Sequence, residues 1–174
     1  MIILGIDPGT AILGYGCIEA AKNKNRLIGY GCLKTPKNLN DAARLKILYQ
    51  GITKLIKKFK PDYLALEEIF FFKNSKTVIG VSQARGITIL AAANLDIPVI
   101  EFTPLQVKQA VTGYGRAEKQ QVQKMIKVLL CLKEIPKPDD AADALATAIC
   151  AAHCQKLYED LTPLEIQPTL RSKK

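Results

Sequence analysis

The chain opens on a dense apolar run, Ile2-Ile3-Leu4-Gly5-Ile6, that stops at Asp7-Pro8-Gly9. A short run this rich in Ile and Leu predicts a buried strand, and Pro-Gly ends it. Gly14 to Glu19 and residues 26–34 predict two more strands, joined by the polar turn Lys22-Asn23-Lys24-Asn25. Three strands at this spacing make an antiparallel meander. From Asp41 the pattern changes. Leu45, Leu48, Ile52, Leu55, Ile56 and Phe59 recur with the period of a helix, with Asn40 placed to cap it and Pro61 to end it. Tyr63-Leu64-Ala65-Leu66-Glu67 again reads as a buried strand. A long helix over about 75–93 follows, then a strand Val99-Ile100-Glu101-Phe102 and a helix opened by Thr103-Pro104. Val122, Met125, Ile126, Leu129 and Leu130 mark one face of a further helix, and an alanine-rich last helix runs from about Asp140 to Leu157. The order β-β-β-α-β-α-β-α-α-α predicts an α/β fold, a mixed five-stranded sheet flanked by helices.

Length and composition narrow this. The 174 residues, 48% hydrophobic and 24% charged, suit one globular domain, placed at 1–158, with 159–174 expected as a flexible tail. The 25 Lys+Arg exceed the 16 Asp+Glu, a net charge of +9 that points to nucleic acid or another polyanion. No apolar run approaches the roughly 20 residues of a membrane span. The first residues lack the basic region of a signal peptide. Five cysteines, an odd count, read as reduced thiols, and a cytoplasmic protein is expected.

Against that basic background, four acidic residues stand out. Asp7 ends the first strand, Glu67 ends the fourth, and Asp140 and Asp143 lie three apart at the start of the last helix, on one face. Gathering carboxylates is opposed by like-charge repulsion and by desolvation, and divalent cations offset both. The set therefore suggests Mg²⁺ chemistry on a polyanion, in the manner of nucleases that hold two ions ~4 Å apart about an in-line displacement. Each residue also has a plainer reading. Asp7 before Pro-Gly suits a turn, and Asp140 suits a helix cap. Glu67 has no routine structural task, although Glu68 competes with it from the opposite face of the strand. The lone His153 weighs against a histidine base and leaves metal-bound water as the nucleophile. With Cys150 and Cys154, His153 reads as packing on one helical face.

Phe70-Phe71-Phe72 holds three of the five phenylalanines directly after the Glu67 strand. An exposed aromatic there could stack on an unpaired base, and ordinary burial is the competing reading. Lys108, Arg116 and Lys119 bracket Thr112-Gly113-Tyr114-Gly115, a cation-flanked loop suited to phosphate.

Ile3-Leu4-Gly5-Ile6-Asp7-Pro8-Gly9, Ala65-Leu66-Glu67, Ser82-Gln83-Ala84-Arg85-Gly86, Gln106-Val107-Lys108-Gln109 and Asp140-Ala141-Ala142-Asp143-Ala144-Leu145-Ala146 together resemble the RuvC family of crossover junction endodeoxyribonucleases. The resemblance runs in order from residue 2 to about 155. It implies a ribonuclease H-like fold and a homodimer that resolves Holliday junctions in recombination and repair. It also implies dependence on Mg²⁺, two ions per subunit, with Mn²⁺ able to substitute, and the RuvA-RuvB branch-migration complex as partner. On this chain the family's acidic ligands fall on Asp7, Glu67, Asp140 and Asp143. Its wedge phenylalanine falls on Phe70 and its DNA-contacting lysines on Lys108 and Lys119. The small residues Gly80, Ser82, Ala84 and Gly86 are expected near the two-fold axis. Three rivals are weighed: an actin-like ATPase, which needs a second lobe and phosphate loop not found here; a silent branched-DNA-binding module; and a nuclease for another substrate, such as RNA in hybrids.

Overall fold

The computed structural model of the chain describes residues 1–21, 24–68 and 75–161. Three antiparallel strands come first: β1 (Ile2–Asp7), β2 (Ile12–Ala20) and β3 (Asn25–Lys34). Two strands follow after helices, β4 (Tyr63–Glu67) beyond α1 (Asp41–Phe59) and β5 (Val99–Phe102) beyond α2 (Ser75–Ala93). Because each returns by a helical crossover, β4 pairs parallel with β1 and β5 parallel with β4. The sheet order is β3-β2-β1-β4-β5. Helices α3 (Pro104–Thr112), α4 (Lys119–Leu129) and α5 (Asp139–Leu161) complete the chain.

The ends of the helices follow from local chemistry. Asn40 accepts a hydrogen bond from the Ala43 amide at 2.9 Å and caps α1. Lys60 closes that helix in the left-handed region just before Pro61. Thr103 and Gln106 form a reciprocal capping box at the start of α3, with Pro104 in its first turn. The second strand is longer than the predicted Gly14 to Glu19. It takes in Ile12 and Leu13, because the ladder with β3 continues to Ile12 opposite Lys34. Helix α5 continues through Leu161, beyond the expected boundary at 158. The rest of the expected tail lies outside the described residues.

Each face of the sheet carries its own core. On one face Leu4, Ile6, Leu13, Cys17, Leu64 and Leu66 pack with Leu48 and Ile52 of α1 and Ala84 and Ala91 of α2. On the other, Ile3, Ile18, Ala65 and Phe102 pack with Val107 and Val111 of α3, Val122 and Ile126 of α4, and Leu145 and Ile149 of α5. Leu145 and Ile149 are completely buried, and each contributes about 1.5–3 kcal/mol by leaving water. Helix α5 lies unusually close to the strands. A Cβ at Gly14 would collide with the Asp140 carbonyl, and one at Gly5 would collide with the Ala144 carbonyl. Side chains at those positions would hold the helix away from the sheet.

Candidate active site

Parallel pairing of β1 and β4 sets the two strand-end carboxylates side by side. Ile6 is opposite Leu66, so Asp7 and Glu67 follow as the next residues on neighbouring strands pointing the same way. Strand alternation decides which face they occupy. Ala65 belongs to the core under α5, while Leu64 and Leu66 belong to the core under α1 and α2. Glu67 therefore shares the α5 side with Asp7, and Glu68 falls on the other. Asp7 also lies opposite Gly14 of β2, and the space over Gly14 is taken by the Asp140 backbone. This seats the first turn of α5, with Asp140 and Asp143, over the ends of β1 and β2.

The electrostatics record this crowding. Burial pushes the Asp7 carboxyl up to about 7, with the charges of Asp143, Asp140 and Glu67 adding to the rise and Lys119 opposing it. Glu67 is raised by burial and by Asp143, against the pull of Lys108. Asp143 is raised by burial although Lys119 hydrogen-bonds to it. The Cys32 thiol, opposite Gly14 in the β2–β3 ladder, is raised by burial and then by Asp140.

A cleft of about 250 Å³ opens beside these groups, lined by Glu67, Pro104, Val107, Lys108, Lys119, Val122, Asp143 and Ala146. A larger hollow of about 480 Å³ lies elsewhere, between the ends of α1 and α2, where among the described residues Lys57 and Lys60 are the ionisable lining groups. The smaller one holds the carboxylates Glu67 and Asp143 together with Lys108 and Lys119. There Lys119 Nζ donates to Asp143 Oδ2 at 2.9 Å and lies 3.3 Å from Asp139 Oδ2. Gln123 Nε2 donates to Asp139 Oδ1 at 3.0 Å. Asp139 and Gln123 carry no sequence-based expectation. The available signal was a third acid beside Asp140, but only the packing of α4 on α5 discloses its partners.

Among the described residues, no three Asp, Glu, Cys or His side chains draw together closely enough to grip one ion. Lys119 already neutralises part of the Asp143 charge. The set nonetheless fits a hard divalent cation. Its donors are carboxylate oxygens, desolvation leaves them short of positive charge, and an ammonium stands in as counterion.

The remaining expected residues are dispersed. Lys108 lines the cleft from α3. Arg116 is exposed on the loop before α4 and is not among the cleft-lining residues. Phe70, with Phe71 and Phe72, lies outside the described residues. His153 contacts the Ala110 carbonyl through Nδ1 at 3.0 Å, in keeping with packing. Cys17, Cys32, Cys131, Cys150 and Cys154 are all free. Among the described residues, no helix is long and apolar enough to cross a membrane.

Comparison with known proteins gives one answer. The family model for crossover junction endodeoxyribonuclease RuvC matches residues 3–151. A RuvC from Desulforamulus reducens is 63% identical over 158 residues, 91% of this chain and 97% of that one. A RuvC from Clostridioides difficile is 56% identical, covering 92% of this chain and 95% of its own. The structure of Thermus thermophilus RuvC in complex with a Holliday junction superposes with a TM-score of 0.86 at 34% identity, over 91% of this chain and 96% of that one. The expected ribonuclease H-like fold is thus the observed one. The chain belongs to the crossover junction endodeoxyribonuclease RuvC family.

Proposed function

We propose that this chain is an endonuclease that resolves Holliday junctions by paired, symmetric, Mg²⁺-dependent nicks. It would act in the cytoplasm during recombination and repair, with RuvA-RuvB as partner. The observation that carries the reading is the seating of Asp7. It is half-buried beside Glu67 and under the first turn of α5, so that desolvation and then the charges of all three other carboxylates raise its affinity for protons. A divalent cation bound there would offset the same repulsion and desolvation.

Asp7, Glu67, Asp140 and Asp143 would hold two Mg²⁺, with Mn²⁺ able to replace them. When bound, such ions neutralise the scissile phosphate and supply an activated water for in-line attack. The chain's own residues do the rest. The rigid ends of β1 and β4 fix the positions of Asp7 and Glu67, and the seat of α5 on Gly14 fixes Asp140. Lys108 and Lys119, at the cleft, would draw the backbone phosphates in, with Arg116 adding charge from the rim. Phe70 is assigned to stack on bases unpaired at the crossover.

Two opposed nicks need two such sites, and a homodimer provides them. Support comes from α2, where Ile79 and Leu90 are 63% and 52% exposed along the face that also carries Ser82 and Gly86, whereas Ala84, also expected near the axis, is buried in the core and Gly80 packs against Thr10. A Cβ at Gly86 would meet nothing within 4 Å, so the backbone there is open to close approach.

The test is incubation with a synthetic four-way junction or a matched linear duplex, with Mg²⁺ or with chelator. Selective, symmetric, Mg²⁺-dependent nicks are expected, together with loss of cutting but intact junction binding in Asp7→Asn. Equal cutting of both substrates, or undiminished cutting by Asp7→Asn, would refute the reading.

A further inference from the structure

Lys119 is the first residue of α4. The positive end of the helix dipole lies there, which is an unfavourable place for a cation. Two carboxylates of α5 compensate. Lys119 Nζ is 2.9 Å from Asp143 Oδ2 and 3.3 Å from Asp139 Oδ2, and these residues are one helical turn apart on the same face. Asp139 is itself held. Its Oδ1 accepts from Gln123 Nε2 at 3.0 Å, and Gln123 is one turn along α4 from Lys119. The two oxygens of Asp139 are thus divided between an amide and an ammonium, both presented by α4.

The two carboxylates differ in setting. The Asp143 side chain is 34% exposed and faces the other acids, whereas the Asp139 side chain is 65% exposed and is not among the cleft-lining residues. We propose that Asp139 is a positioning residue for Lys119: it shares the ammonium with Asp143 in the metal-free protein and receives it when a divalent cation takes Asp143. This rests on the reading of the four carboxylates as a metal site.

Without a cation, Lys119 relieves the repulsion among Asp7, Asp140 and Asp143, which burial makes steep. A divalent ion must displace that ammonium from Asp143. If Asp139 were absent, the displaced ammonium would remain at a helix N-terminus with no anion, close to the incoming ion. With Asp139 in place, the ammonium moves only from one carboxylate to the next, and Gln123 holds the receiving group in line. The ammonium then stays beside the cleft that Lys108 also lines.

The test is calorimetric titration of the full chain with Mn²⁺, without DNA and above pH 7, where activity plays no part. Asp139→Asn should weaken Mn²⁺ binding about tenfold, the scale on which outer partners act, and Asp139→Glu should restore most of it. Lys119→Gln should bind Mn²⁺ more tightly than the unaltered chain. In the Lys119→Gln background, Asp139→Asn should change affinity less than about twofold, because the group that it positions is gone. An equal loss in both backgrounds would make Asp139 a mere nearby charge and overturn the proposal, as would unchanged binding by Asp139→Asn. Asp7→Asn separates the two layers. If it binds Mn²⁺ as the unaltered chain does, the metal-site reading itself fails. If it loses binding while Asp139→Asn does not, only the role of Asp139 falls. Melting curves of the metal-free variants establish that each is folded.

Discussion

Gly14 leaves the space that the carbonyl of Asp140 occupies. A methyl group at Gly14 would collide with the Asp140 carbonyl and crowd the Ala141 amide, both of them backbone that cannot rotate aside. Since Asp7 lies opposite Gly14 in the ladder, this one missing side chain governs how near Asp140 comes to Asp7.

Gly14→Ala should therefore lift the first turn of α5. Overpacking of this kind destabilises by about 1–3 kcal/mol, which a domain of normal stability survives. Junction cleavage should fall by far more than the folded fraction does, because carboxylate spacing is disturbed before the core is. Cleavage per folded molecule, measured against a thermal melt, checks this.

Glu67→Gln and Glu68→Gln form a matched pair. Each removes one charge next to the other, but only Glu67 lies on the face shared with Asp7 and Asp143. The first should be inactive on junctions in Mg²⁺ and the second active. Activity of Glu67→Gln with loss in Glu68→Gln would move the site to the opposite face of β4.

Stability of the metal-free protein should carry the signature of Asp7. Its carboxyl is raised from an ordinary 3.8 to about 7, so the folded state holds its proton after the unfolded chain has released it. The sign follows: the stabilising contribution is complete below about 3.8 and is lost as pH rises through about 7. Asp7→Asn and the unaltered chain should thus melt together near the acid end. The variant should then become progressively the more stable toward neutrality, with each kcal/mol worth roughly 2–4 °C in a domain of this size. Excess divalent cation should reverse the order, because it stabilises only the chain that binds it. Parallel melting curves at every pH would show that Asp7 is not held in a desolvated acidic cluster.

Leu90→Glu addresses the homodimer. Leu90 is half-exposed on α2 and its loss costs the monomer little. A charge there should shift sedimentation toward monomer at micromolar concentration and abolish paired nicks while leaving the fold unchanged. A dimer of undiminished stability would place the interface elsewhere.

The order and kind of every element was legible in the chain because hydrophobic period is a local property. The helical repeat from Leu45 to Phe59, the strand-like run before Glu67, the Asn40 cap and the Thr103-Pro104 start all lie within a few residues of what they specify. The same local logic put Asp7 and Glu67 at strand ends and Asp140 and Asp143 on one helical face. Other features were not legible. Asp7 and Glu67 were expected on neighbouring strands, but the parallel register of β1 and β4, Ile6 opposite Leu66, depends on contacts between segments about sixty residues apart that no local pattern encodes. That Gly5 and Gly14 are spaces for α5, not merely flexible links, appears only when the helix is laid on them. The link from Gln123 through Asp139 and Lys119 to Asp143 joins two helices whose sequences give no sign of facing each other. The sequence by itself determined which elements form and which residues carry charge. Only tertiary packing decided which charges meet, since burial and proximity, not residue type, shift a carboxyl such as Asp7 far from its ordinary range.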